Sequence, residues 1–317
     1  MLEIIQLNEE HLEDAVALVG SRYRRLREQE PLLPQRYNDA STFLPLLQNI
    51  QSAGPGVAAV RDGRIVGFMS GWLMPAFRGN RSTYSPEWAN AADLEDSRRI
   101  YEKMYKCLAA DWAADSYGSH YISLFANDLD AIEALHWLGL GILSVDANRG
   151  LEPLEDVDVR IDIRRAKLQD LGQFLMLNDE LRQYMKSSPV FFIADEYGES
   201  YFGEWLEAPD KVIWLASIDG EPVSFMRMGP ANDDVCAIIY DEKTTSIYGA
   251  YTREPMRGKD IATAMLDHAP SYAGSLGYER CAVDFETMNL LGTRFRLRHF
   301  RLVCFSLHRF VDERVLL

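Results

Sequence analysis

The sequence predicts a mixed α/β protein built of two similar halves, each a central sheet flanked by helices. Three observations carry that expectation. At 317 residues the chain exceeds the size at which one hydrophobic core usually keeps growing, so two domains of about 150 residues are expected. The apolar pattern runs through strand, helix, hairpin, strand, helix, strand, helix and strand, and then runs through the same order again. An Asp-Gly turn, the strongest short-range hairpin signal, recurs at the same place in each run. It reads Asp62-Gly63 before Val66 and Phe68-Met69, then Asp219-Gly220 before Val223 and Phe225-Met226, all at one separation of 157 positions.

The elements follow in order. Alternation at Leu2 and Ile4 predicts an opening strand, and Leu12, Ala15, Val16 and Val19 share one face of the helix after it. Past the first hairpin, Ile100, Tyr101, Met104, Tyr105, Leu108 and Trp112 mark a long helix that leads to a strand at 121–125. The stretch 148–156 combines Gly, Pro and acids, and apolar residues at Val157, Val159, Ile161 and Ile163 predict a fresh strand. The boundary therefore falls near residue 153, giving domains 1–152 and 153–317. Leu171, Phe174 and Leu175 then mark a helix, and Ile261, Ala262, Met265, Leu266 and Ala269 a later one before a strand at 281–285.

Charge and composition exclude several functions. A net charge of -15, from 48 acids against 33 bases, is shared by both halves and is wrong for a nucleic-acid partner. It mildly favours a cationic acceptor such as an amine. No apolar stretch approaches the roughly 20 residues that span a bilayer, and the N-terminus lacks a basic-then-apolar signal layout. A soluble, cytoplasmic protein is expected, with no membrane partner and with its oligomeric state left open. The cysteines (Cys107, Cys236, Cys281, Cys304) have no CxxC spacing and read as buried thiols, and no histidine pair has ligand spacing, so no metal is expected. Arg22, Arg24, Arg25 and Arg27 read as a solvated helix face.

The chemistry concentrates between Ser246 and Leu266. A strand runs into a loop carrying Pro255 and then into the start of an amphipathic helix, whose unpaired amides and dipole suit a pyrophosphate. Arg257 and Lys259 add positive charge, and Gly258 allows close backbone approach. Arg257-Gly258-Lys259-Asp260-Ile261-Ala262 resembles motif A of the GNAT acetyltransferases. Val283 to Asn289 and the run Arg294 to Phe300 resemble that family's fifth strand, its Asn and the helix that follows. The resemblance implies two tandem GNAT-like acyl-coenzyme-A N-acyltransferase domains, with acetyl-coenzyme A as co-substrate and a small-molecule or peptide amine as acceptor. It implies that Ala250, Tyr251 and Thr252 face the pantetheine arm, that Arg257 to Ala262 wrap the pyrophosphate, and that Asn289 lies beside the thioester.

This sequence departs from the motif at three places. Asp260 stands where the motif has Gly and is also a candidate helix N-cap. Arg296 lies in the region of the family's tyrosine acid, and Ser246 near that of the glutamate base of histone-type members. Tyr248, on one strand face with Ala250 by period two, and Glu286, near Asn289, are the replacement candidates for proton handling. In the first half the matching stretch, Leu94 to Tyr101, has two acids and no glycine, so that half reads as a degenerate, structural copy. A catalytically impaired binding or regulatory protein of the same fold is the alternative expectation.

Overall fold

The computed structural model describes residues 1–316 except 156, 158, 194, 195 and 233–235. In chain order the elements are β1 (Leu2–Gln6), α1 (Leu12–Gln29), α2 (Leu44–Ala53), β2 (Gly56–Arg61), β3 (Arg64–Ser70), β4 (Trp72–Phe77), β5 (Asn80–Ser85), β6 (Asn90–Ala92), α3 (Ser97–Ala114), β7 (Ser119–Phe125), α4 (Leu129–Trp137) and β8 (Gly141–Gly150). They continue with β9 (Asp162–Arg165), α5 (Leu171–Lys186), α6 (Glu199–Glu207), β10 (Val212–Ile218), β11 (Glu221–Pro230), β12 (Thr244–Thr252), α7 (Ile261–Ser275), β13 (Arg280–Glu286), α8 (Leu290–His299) and β14 (Arg301–Phe310). Among the described residues no helix is long and apolar enough to cross a membrane.

The chain forms two compact units. The first takes Met1–Asp146, Cys236–Ile239 and Leu302–Leu317, and the second takes Ala147–Val235 and Tyr240–Arg301. This differs from a single cut near residue 153, because the last strand and a four-residue turn pack with the first unit. Backbone pairing is the reason: β14 runs antiparallel to β7 from Cys304↔Phe125 to Phe310↔Ser119, burying Val303, Cys304 and Leu307. The strand expected at 157–163 is shorter and later. It is β9, and Ile163 pairs with Ala216 and Arg165 with Trp214. Asp158 of the expected strand, and Asp156 just before it, lie outside the described residues.

In the first unit β1-β2-β3-β6 form a four-stranded antiparallel sheet, while β5 pairs in parallel with β7. The apolar face of α3, with Ile100, Tyr101, Met104 and Trp112 fully buried, covers Val57, Val66 and Met69. Hydrophobic burial of that size is the main driving term for the unit. In the second unit β9-β10-β11-β12 are antiparallel and β12 pairs in parallel with β13. Phe174 and Leu177 of α5 and Phe202 and Trp205 of α6 pack on Ile213, Leu215 and Phe225 of this sheet.

The two hairpins match residue for residue. Asp62-Gly63 and Asp219-Gly220 all have positive φ, as a two-residue turn of this kind requires. Val57 pairs with Met69 and Trp214 with Met226, and each hairpin then skips one residue, Val66 in one and Val223 in the other. The same register thus recurs at the separation seen in the sequence.

Two polar groups of the first unit are buried, and one of them departs from the expected exposure. Arg22 is buried and ion-paired with Asp128 rather than solvated, and burial lowers its pKa. His120 is enclosed by Trp112 and Tyr105, with Tyr105 Oη 3.0 Å from its Nδ1 and the Tyr117 carbonyl 3.0 Å from its Nε2. Burial brings its pKa down to about 4. An unfolded histidine titrates near 6.5, so the unfolded chain takes up this proton first. Stability from this group is complete above about pH 6.5 and is lost as pH falls toward 4. We expect urea midpoints to fall across that window, and His120→Gln to flatten the fall.

Candidate functional site

The second unit contains a cleft of about 300 Å³, and the strand register explains it. β12 and β13 pair only at Thr244↔Arg280, Thr245↔Cys281 and Ser246↔Ala282. Past these residues β12 continues to Thr252 and β13 to Glu286 without further pairing between them. The strands part, and the gap is lined by Met226, Ile247, Ala250, Val283 and Phe295. On its other side β12 stays paired with β11, but the register jumps from Arg227↔Gly249 to Met228↔Ile247. Tyr248 is the extra residue of this β-bulge, which bends a strand and re-aims its side chains.

At the mouth of the cleft lies the start of α7. Gly258 has φ +71 and Asp260 φ +54, so the chain turns through two left-handed residues before the helix begins. Glycine enters this region at no steric cost, and aspartate is among the few other residues that tolerate it. The first main-chain bond of the helix is from Ala264 N to Asp260 O. The N–H groups from Gly258 to Thr263 have no acceptor among the described residues, which leaves six consecutive donors and the positive end of the helix dipole at one point. Asp260 occupies the N-cap position, yet its carboxylate accepts no capping bond. The N-cap reading of its side chain is therefore not what the structure holds.

Side chains of α5 and α8 fix the opposite wall. Asn289 Oδ1 accepts from the Gly292 N–H at 3.1 Å, capping α8, and from the Tyr184 hydroxyl at 3.0 Å. The Arg257 guanidinium lies 4.9 Å from the Tyr184 ring centre, and its Nε donates to the Thr252 carbonyl at 3.1 Å. Arg253 pairs with Glu180, one turn before Tyr184 on α5. Burial, then the Glu180 charge, pushes the Tyr251 hydroxyl upward. Arg296 lies over the Phe285 ring at 5.2 Å, and burial lowers its pKa while Asp284 opposes that.

The structure brings most of the expected residues together. Ala250, Tyr251, Thr252, Arg257, Gly258, Asp260, Ile261, Ala262 and Asn289 all line the cleft. Lys259 does not; its ammonium reaches the Met256 sulfur at the surface. Tyr248 and Glu286 also stand off it. The Tyr248 ring packs on Trp205, 5.2 Å between centres, and its hydroxyl donates to the Pro230 carbonyl. The bulge breaks the period-two alternation that put Tyr248 on the face of Ala250, which is why the expected proton-handling role does not fit its place. Tyr184, Phe295 and Arg296 line the cleft without having been singled out as its walls. The four-residue spacing of Glu180 and Tyr184 is the one sequence signal that they share a helix face.

Residues 176–294 match the acetyltransferase (GNAT) family, so the second unit carries a domain of that family. No curated protein matches the chain in sequence. Among solved structures, a GCN5-related N-acetyltransferase from Sphaerobacter thermophilus is 10% identical with a TM-score of 0.55, over 98% of this chain and 95% of that one. The GCN5-related glucosamine N-acetyltransferase region of a fungal multi-domain GH3 β-N-acetylglucosaminidase is 12% identical with a TM-score of 0.52, over 98% of this chain, which spans 38% of that protein. At these identities the likeness is one of fold.

Asn289→Ala removes the α8 cap and leaves the Tyr184 hydroxyl unpaired. We expect a loss of about 1 kcal/mol from the cap alone, read as a lower thermal midpoint, and faster amide exchange in residues 290–293 than elsewhere in the second unit.

Proposed function

We propose that the chain is an acetyl-coenzyme-A-dependent N-acetyltransferase acting on a primary amine of a small molecule or peptide. In this reading the second unit holds the coenzyme, and the first is a structural copy from the same duplication. The observation that carries it is the run of six unpaired N–H groups, Gly258 to Thr263, at the mouth of a cleft with apolar walls. Such a run suits a diphosphate, and the apolar walls behind it suit an uncharged arm. The recurring hairpin register supports the duplication.

Acetyl-coenzyme A, when bound, supplies a thioester carbonyl open to attack by an amine. The chain's own part is mostly positioning. Gly258 to Ala262 and Arg257 would hold the diphosphate, while Ala250, Tyr251 and Thr252 would line the arm on the β12 side and Asn289 on the other. The edge of β12 that β13 leaves uncovered offers main-chain donors for the carbonyl oxygen as charge develops there. As the C–N bond forms the C–S bond breaks, the coenzyme leaving as a thiolate; Tyr248 and Glu286 stand off the cleft, so solvent water would take the amine proton and return one to the thiolate. In the first unit the residue at the start of α3, Asp96, is also left-handed at φ +67, but its carboxylate is tied to Arg61 at 2.7 Å and no glycine precedes it. One coenzyme per chain is therefore expected.

Asp260 is the feature that opposes the fit. A carboxylate about 5 Å from a phosphate charge costs about 3 kcal/mol at an effective dielectric near 20. Asp260→Gly removes that repulsion and the left-handed strain together, and Asp260→Asn removes the charge alone. Calorimetric titration with acetyl-coenzyme A should show one site per wild-type chain and about ten-fold or tighter binding in both variants. Thiol release against a panel of amines tests turnover. Absence of binding in all three proteins would sink the proposal, and binding without release for any amine would remove the enzymatic part of it.

A further inference from the structure

The first unit gathers two buried cysteines and a buried glutamate at one point. One ligand atom each of Glu87, Cys236 and Cys304 lie within 4.8 Å of one another, and all three residues are buried. They come from three distant stretches: the segment between β5 and β6, the turn Cys236–Ile239, and β14. A fourth acid, Asp146, is buried in the same place, and its Oδ1 accepts the Cys236 N–H at 3.0 Å. Glu87 Oε1 accepts the Ile238 N–H at 3.2 Å. The backbone of one short turn therefore orients both carboxylates, as hydrogen-bonded ligating carboxylates commonly are.

The electrostatics are unusual for a packed core. Burial pushes the Glu87 carboxyl up to about 7 and the Cys304 thiol up to about 12, and raises Cys236 as well. The thiols lie against Glu87, Asp146 and each other. Buried acids are normally paired or bound to a metal.

We propose that Glu87, Cys236 and Cys304 bind one zinc ion in the first unit, with Asp146 placed to complete the set. Two thiolates select a soft or borderline cation over magnesium or calcium. Zinc takes sulfur at about 2.3 Å and carboxylate oxygen at about 2.0–2.2 Å, and the three ligand atoms here lie within 4.8 Å of one another. The site is closed to solvent, which marks a structural rather than a catalytic ion. It clamps the turn Cys236–Ile239 to β14 and to the segment before β6. Binding displaces the two thiol protons and any carboxyl proton, so affinity rises with pH.

The test uses the full chain expressed with zinc and desalted without chelator. Elemental analysis should find one zinc per chain. Replacement by cobalt(II) should give a thiolate-to-metal charge-transfer band, lost in Cys236→Ser and in Cys304→Ser and weakened in Glu87→Gln. Slow removal by a chelator should lower the thermal midpoint of the wild type and leave both serine variants unmoved. If the serine variants do not fold, the cobalt band and its competition by zinc in the wild type still decide. Wild-type protein that retains no zinc and shows no cobalt band would overturn the proposal. So would a disulfide joining Cys236 to Cys304 in protein purified without reductant.

Discussion

Three parallel residue pairs, Thr244 with Arg280, Thr245 with Cys281 and Ser246 with Ala282, hold β12 to β13, and the second unit is organised around their ending there. A sheet that stayed paired to the tips of both strands would have no room between them. Because the pairing stops, the rest of β12 has one edge bonded to β11 and the other open to a cleft. The bulge at Tyr248 accompanies the parting: an extra residue increases local twist and turns the strand away from its neighbour. Arg227 steadies that bulge, donating to the Tyr248 carbonyl at 3.1 Å while its guanidinium lies over Trp205.

The parting would be of little chemical use without the start of α7 beside it. Six donors without acceptors are costly in a dry interior but tolerable at an exposed helix end, where water satisfies them. Gly258 and Asp260 keep them free by turning the chain left-handed, which prevents the usual capping geometry. Asp96, at the start of α3, has the same backbone form. There the carboxylate is already neutralised by Arg61, and two acids stand in sequence ahead of the helix.

The first unit solves a different problem, that of polar groups in a core. Asn90 shows the ordinary solution. Its amide donates to the carbonyls of Pro86 and Ser123, and its Oδ1 accepts the Tyr101 hydroxyl. Arg22 and Asp128 neutralise one another. The Glu87 carboxylate takes a third course, accepting the Ile238 N–H from the turn that carries Cys236.

Much of the fold was legible in the sequence. The Asp-Gly turns, the 3.6-residue faces of α1 and α3, and the Arg257 to Ala262 run are local signals, set by backbone geometry and burial within a few residues. The last of them contributes five residues to the lining of the cleft, and the family resemblance implied four more, Ala250, Tyr251, Thr252 and Asn289. What tertiary structure alone decided depends on residues far apart in the chain. The assignment of β14 to the first unit is a matter of which strand it pairs with, and its own sequence is equally apolar in either place. The displacement of Tyr248 follows from a bulge fixed by the register against β11, which period-two reasoning cannot see. The gathering of residues 87, 146, 236 and 304 at one buried point leaves no spacing for a motif to record, because the fold, not the sequence interval, sets the distance between them.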